Sequence, residues 1–159
     1  MSDYRVLVAR LRNELTRLDT VVQTATNQTE KATQTGDVDY FQAAALSLQN
    51  FYMGVERIFE EIAKQIDQSV PTGANSHREL LEQMALEISS LRPPVIQADT
   101  LKSLNEYRGF RHVVIHRYGF ELYPERIREL VEALPNSYVL LSRDTENFCQ
   151  FLLELERSL

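Results

Sequence analysis

The chain has 159 residues, 43% hydrophobic and 25% charged, which excludes a disordered polar polypeptide. A chain near this size buries roughly 68–70% of its unfolded surface, so residues 1–159 are expected to form a single domain with no need of metals or disulfides. The net charge of −6 and pI near 5.1 exclude a protein that coats nucleic acid by charge alone.

In chain order, the opening MSDYRVLVARLRNEL interrupts every apolar run with charge, so no signal peptide is expected. No window approaches the roughly 18 uninterrupted apolar residues of a membrane span, and a cytoplasmic protein with no membrane partner is expected. Residues 3–33 place Val6, Leu7, Leu11, Leu15, Leu18, Val22 and Ala25 at helical spacing, with Ser2 or Asp3 as cap. Thr20 to Thr35 is rich in threonine and glutamine, and is expected to be the exposed or frayed end. Gly36-Asp37 ends this helix and starts the next. Residues 38–67 carry a wide stripe, with Phe41, Leu48, Val55 and Ile62 seven apart and Ala45, Tyr52, Phe59 and Ile66 between them. Glu56, Arg57, Glu60, Glu61 and Lys64 are expected on its solvated face, with Asn50 and Glu56 as minor candidates for lining a site.

The turn residues of QSVPTGANS separate this helix from a third. Ser76 is expected to cap the third helix, with Glu79 completing a capping box. His77 is expected as an exposed first-turn residue. Leu80, Leu81, Met84, Leu86, Ile88 and Leu91 supply the apolar face, and Arg92-Pro93-Pro94 closes the helix. A fourth helix opens near Asp99 or Thr100 and runs to about Tyr118, with Gly119 as its C′ residue. Tyr107, like Tyr4, reads as a packing residue with a wet hydroxyl. A fifth helix runs from Pro124 to about Ala133. Pro135 kinks or restarts it, and Asn136 to Leu155 forms the last, where Cys149 reads as a buried structural thiol. A lone cysteine fits a reducing compartment. The expected fold is an all-α bundle of about five to six helices.

Charge is uneven along the chain. Residues 1–101 hold 9 basic and 14 acidic side chains, residues 102–128 hold 6 and 3, and residues 129–159 hold 2 and 6. The one positive region contains RGFRHVVIHRYG, Arg108 to Gly119, with two of the chain's three histidines. Within it Arg111, His116 and Tyr118 form an R-x4-H-x-Y pattern. At about 100° per residue, Arg111 and Tyr118 lie about 20° apart on one face of a helix. His112 and His116 share another face, in line with Arg108. Arg111 and His116 are about 140° apart, too far to grip one atom from an undistorted helix. Either the helix loosens near Gly119, or a second copy across a two-fold axis supplies the partner groups; the second is favoured.

In the last turn of a helix, the dipole favours the His116 imidazolium by about 0.3–1 kcal/mol, and neighbouring arginines oppose it. Such a histidine can titrate near neutral pH and act as general acid or base. Arginine's fork suits a phosphate. An arginine–histidine set points to metal-free phosphodiester chemistry, in which the 2′-hydroxyl of RNA is the nucleophile. His112 and His116 also have the i, i+4 spacing of a helical zinc pair, but no third ligand is obvious, and Val113 stands where a zinc protease needs glutamate. No metal and no cofactor is expected.

The R-x4-H-x-Y pattern near the end of a helix, with LQNFYMGVERIFEEIA in the second helix, resembles the HEPN superfamily, particularly the HepT-like toxins. The similarity in pattern and helix order covers roughly residues 3–155. The resemblance implies a homodimeric, metal-independent endoribonuclease whose site forms where two motifs meet. On that mapping Arg111 binds the scissile phosphate, His116 is the acid/base, and His112 fills a polar position beside the arginine, with Arg108 in support. The resemblance also implies a nucleotidyltransferase-fold antitoxin that modifies Tyr118 with AMP. The alternative is a non-catalytic HEPN-type partner or adaptor of a nucleotidyltransferase.

Overall fold

The computed structural model describes residues 3–117 and 124–158, with the side chains of all of these except 111–117. Among the described residues there are five α-helices and no strand: α1 Tyr4–Thr35, α2 Val38–Ile62, α3 Ser76–Met84, α4 Ala98–Arg117 and α5 Pro124–Arg157. The all-α bundle expected from the sequence is the fold. Tyr118 and Gly119, including the expected glycine stop, lie outside the described residues.

The α1–α2 turn is built as the sequence requires. Asp3 caps α1 by accepting from the Arg5 N–H (3.0 Å), Gly36 ends it in left-handed conformation (φ 71), and Asp37 caps α2 through the Asp39 N–H (2.9 Å). Of the exposed or frayed end expected for α1, the structure shows exposure at Thr33, Gln34 and Thr35 but no fraying, because the helix is regular to Thr35. Val22, Ala25, Thr29 and Ala32 are buried, and Thr26, Thr29 and Thr33 turn their hydroxyls onto carbonyls of their own helix. Satisfied in this way, Thr29 can be buried, while Thr33 remains exposed.

α1 and α2 are antiparallel, cross-linked by Arg57–Glu14 (2.6 Å) at one end and by Ser47–Gln28 (2.7 Å) towards the other. They approach closely at Gly54, where a Cβ would collide with the buried Leu18 side chain. α5 runs antiparallel to α1, with the Tyr138 hydroxyl donating to the Leu15 carbonyl (2.8 Å). α4 in turn is antiparallel to α5. Its C-terminal end therefore lies at the same end of the bundle as the α1–α2 turn and the start of α5, where Arg128 stacks over Phe41 (5.5 Å).

The expected helix 38–67 changes character at its end. α2 gives way at Ala63–Asp67 to a π-helical turn closed by Gln68 in left-handed conformation (φ 55). The third helix departs further from expectation. Asn75, not Ser76, is the N-cap residue, with no side-chain capping bond, so the capping box does not form. The helix also stops at Met84 rather than at the proline pair, leaving Leu86 56% and Leu91 40% exposed instead of on the apolar face. The physical reason is Arg92, whose side chain is fully buried. Its Nε and one Nη grip the Asp67 carboxylate (2.6 and 2.8 Å), and its remaining N–H groups donate to the carbonyls of Gln83, Leu86 and Pro93 (3.1, 2.8 and 3.0 Å). A guanidinium has five N–H donors, and here each has an acceptor. Two of these carbonyls, of Gln83 and Leu86, are ones that a longer α3 would have consumed.

α5 is one continuous helix, and Pro135 lies inside it rather than dividing it. The proline ring is exposed and removes only one backbone donor, while Leu130, Val131 and Leu134 before it and Leu141 and Phe148 after it bury one common stripe.

Removing one partner of the buried pair leaves the other charge uncompensated. Arg92→Ala is expected to lower unfolding free energy by about 3–5 kcal/mol, read as a fall in the urea midpoint with unchanged slope. A loss below about 1 kcal/mol, the size typical of an exposed pair, would show that the interaction is not structural.

Candidate functional site

The R-x4-H-x-Y segment sits on the C-terminal half of α4, so what holds α4 decides what the site can be. At its N-terminal end, buried Asp144 accepts from the Gln97 N–H (2.9 Å) and the Thr100 hydroxyl (2.5 Å). Arg143 braces this cap by donating to both Asp144 (2.9 Å) and Asp99 (3.0 Å). Its hydrogen bond holds the Asp99 carboxyl below the usual aspartate range. One turn on, the Ser103 and Ser137 hydroxyls meet at 2.5 Å. Next, the Tyr107 hydroxyl donates to the Leu130 carbonyl (2.7 Å), and its ring meets Phe51 edge to face (5.5 Å). Tyr107 is therefore buried at both ring and hydroxyl, and the expected wet hydroxyl is corrected. Burial pushes its pKa up to about 12, so it stays a donor at any physiological pH.

These contacts fix the rotation of α4. Leu104, Tyr107 and Phe110 are buried, while Lys102, Asn105 and Glu106 are exposed. Helical geometry extends both lines. Position 111 falls about 20° from Leu104 and about 40° from Tyr107, within the inward arc. Positions 112 and 116 each fall about 20° from exposed Asn105, within the outward arc. The backbone thus keeps Arg111 and His116 on different faces, as the residue spacing implies. Arg108, half-buried between the arcs, donates to Asn105 (2.9 Å). The side chains of Arg111, His112 and His116, and the whole of Tyr118, lie outside the described residues.

One buried charge escaped the sequence reading. Glu56, assigned mainly to a solvated face, is 6% exposed and bonds His77 Nδ1, whose side chain is about half exposed (46%). The signal was available, because Glu56 stands four residues after Tyr52 and three before Phe59, both fully buried. Asn50, the other minor candidate, is exposed. Glu14 is a second such charge, in line with Leu11 and Leu18 on α1 and gripped by Arg57 and Arg17 (2.6 and 3.3 Å). It floors a cleft of about 370 Å³ between α1 and α2, where Arg10 and Glu61 lie 3.7 Å apart. Cys149 is buried and its thiol is pushed up to about 11, which suits the structural role expected of it. Among the described residues no helix is long and apolar enough to cross a membrane.

A family model described as HepT-like protein matches residues 43–152, which include all of α3 and α4, the R-x4-H-x-Y segment and most of α2 and α5. No curated protein and no solved structure matches the chain.

Tyr107→Phe removes one buried hydrogen bond but keeps the ring against Phe51. The expected loss of stability is about 1 kcal/mol, measured by urea denaturation, with whatever activity α4 carries retained because its rotation is held by the remaining contacts.

Proposed function

The chain belongs to the HepT-like protein family, and from that premise we propose that it is a metal-independent endoribonuclease toxin of a HEPN/nucleotidyltransferase toxin–antitoxin pair. What supports this reading is the spacing along α4: carried on from its anchored half, it sets position 111 on the inward arc and position 116 on the outward arc, in the one stretch whose sequence has a positive balance. Two copies related by a two-fold axis bring both kinds of group to one cleft.

The chemistry needs no nucleophile from the protein. The 2′-oxygen of RNA attacks the neighbouring phosphorus, and the bond to the 5′-oxygen of the next nucleotide breaks. The products are a 2′,3′-cyclic phosphate and a free 5′-hydroxyl. Arg111 holds the non-bridging oxygens, whose negative charge grows in the transition state. His116 moves the proton, taken from the 2′-hydroxyl or given to the leaving oxygen. His112 and Arg108 support the site from the same helix. The enzyme acts in the cytoplasm on RNA and requires no cofactor.

Two experiments test this reading. Purified protein is expected to cleave RNA in excess EDTA, with Arg111→Ala and His116→Ala each at least about 100-fold slower, the usual scale for losing a general acid–base or charge-stabilising group. Cleavage that needs added metal, or that survives both substitutions, removes the mechanism.

The second concerns the off-switch. The antitoxin is proposed to catalyse attack of the Tyr118 hydroxyl on the α-phosphorus of ATP, which releases pyrophosphate and leaves AMP on the tyrosine. Arg111 is about 20° from position 118 on a continued helix, so a phosphate there blocks the substrate site. Intact mass after co-expression with the neighbouring nucleotidyltransferase is expected to rise in AMP increments, and to stay unmodified in Tyr118→Phe. The acidic net charge favours one second reading, a non-catalytic partner of the nucleotidyltransferase. On that reading the two proteins co-purify while RNA is left intact.

A further inference from the structure

The cleft between α1 and α2 is lined by four cations, Arg10, Arg17, Arg57 and Lys64, against three carboxylates, Glu14, Glu60 and Glu61. Folding thus gathers a positive surplus from residues 1–101, a stretch whose sequence is acidic overall. The cleft is remote from the R-x4-H-x-Y segment. Tyr107 of α4 meets Phe51 of α2, and the two helices run in opposite directions. Position 116 lies about 13 Å from that contact towards the start of α2, and Arg57 about 9 Å the other way. The two places are therefore about 20 Å apart along the bundle. The α1 wall of the cleft also precedes residues 43–152, the part that the family model matches. Its organising group is Glu14, whose buried carboxylate takes the Nε of Arg57 and one Nη of Arg17 and so holds side chains from two helices together. A guanidinium has five N–H donors. Neither arginine donates elsewhere among the described residues, so most of each fork is left to a ligand. Lys64, in the π-helical turn, makes no ion pair among the described residues. Glu61 has the opposite need. Its Oε2 is shut off from solvent with no hydrogen-bond donor among the described residues, and Arg10 Nη1 stands 3.7 Å away. A buried acceptor left without a donor is costly.

We propose that the α1–α2 cleft binds a small phosphate monoester that also carries a hydroxyl or amino group, such as a sugar phosphate. The forks of Arg17 and Arg57, flanked by Arg10 and Lys64, match the phosphate oxygens. Glu61 accepts from the hydroxyl or amino group. Glu14 is a positioning residue: it orders the two arginines in advance, which removes part of the entropy cost of binding. The volume of about 370 Å³ lies within the range of small-molecule pockets, about 300–1,000 Å³. An RNA strand is the poorer match. It needs a run of cations along its backbone, whereas here Glu60 and Glu61 stand among the cations. The inference does not depend on the ribonuclease reading.

The test is calorimetric titration of the whole chain with ribose 5-phosphate, compared with inorganic phosphate and with ribose. Wild type is expected to bind ribose 5-phosphate saturably with a Kd below about 1 mM, at least about tenfold more tightly than inorganic phosphate, and ribose not at all. Arg17→Ala and Lys64→Ala replace exposed side chains, so helical circular dichroism should be retained. Each should raise the Kd by at least about tenfold. Glu61→Ala should bring ribose 5-phosphate and inorganic phosphate to similar affinity, a change in preference that a merely structural role would not produce. Arg111→Ala should leave the binding unchanged. Absence of saturable binding to wild type overturns the inference, as does binding that survives both Arg17→Ala and Lys64→Ala. Binding lost in Arg111→Ala overturns it too, by placing the phosphate on the α4 segment. Inorganic phosphate held by wild type as tightly as ribose 5-phosphate overturns the ligand class. A short RNA that displaces ribose 5-phosphate from wild type and Arg111→Ala alike assigns the cleft to the strand instead. Binding as expected in a protein that cleaves no RNA supports the cleft while removing the ribonuclease reading.

Discussion

The buried pair of Arg92 and Asp67 is the interaction on which the placement of the other elements depends. It joins the π-helical end of α2 to the irregular segment that leads into α4. Desolvating a guanidinium and a carboxylate is expensive, several kcal/mol for each ion, and is offset only when every donor has a partner. Here that condition decides backbone geometry. The carbonyls of Gln83, Leu86 and Pro93 turn inward to the arginine, so α3 cannot continue and the chain is led back through Val95 and Ile96, whose N–H groups both reach the Met84 carbonyl. Two residues later α4 begins, and its start is pinned on Asp144.

From there the rotation of α4 follows. Thr100, Ser103 and Tyr107 are tied in succession to Asp144, Ser137 and Leu130 on α5, each tie about one helical turn beyond the last. A helix held at three levels cannot roll, so the assignment of positions 111 and 116 to opposite arcs is a property of the fold and not of a single side chain. The same ladder explains why α5 tolerates Pro135. Ser137, two residues after the proline, bonds both Ser103 and the Ala133 carbonyl, and so ties α5 to α4 just beyond the proline.

Much of this was legible in the residues. Gly36-Asp37 and Pro124 locate the end of α1 and the starts of α2 and α5 to within a residue or two, because each depends on local backbone chemistry. What escaped was set by tertiary partners. The end of α3 depends on Asp67, 25 residues before Arg92. The buried Glu56 is placed by an apolar stripe that runs through it. The threonines of α1 read as polar until their hydroxyls are seen to fold back onto the backbone. In the candidate site the angular split of Arg111 and His116 followed from spacing alone, since α4 is regular. The packing that turns one arc inward could not be read locally.

The charge pattern and the helix geometry lead to one account of selectivity. Affinity for a nucleic acid grows with the number of phosphates neutralised, and a uniformly basic surface holds any strand anywhere. This chain is acidic over its first 101 and last 31 residues and basic only between. Under the proposed function, RNA is repelled from most of the surface and retained where two α4 ends add their arginines. Two copies bring two such basic segments to one cleft, even as the acidic remainder doubles with them. Dimerisation is then the step that assembles both the arginine–histidine set and the electrostatic attraction that brings substrate to it. A phosphate placed covalently on Tyr118 would remove both at once, by occupying the arginine and cancelling its charge.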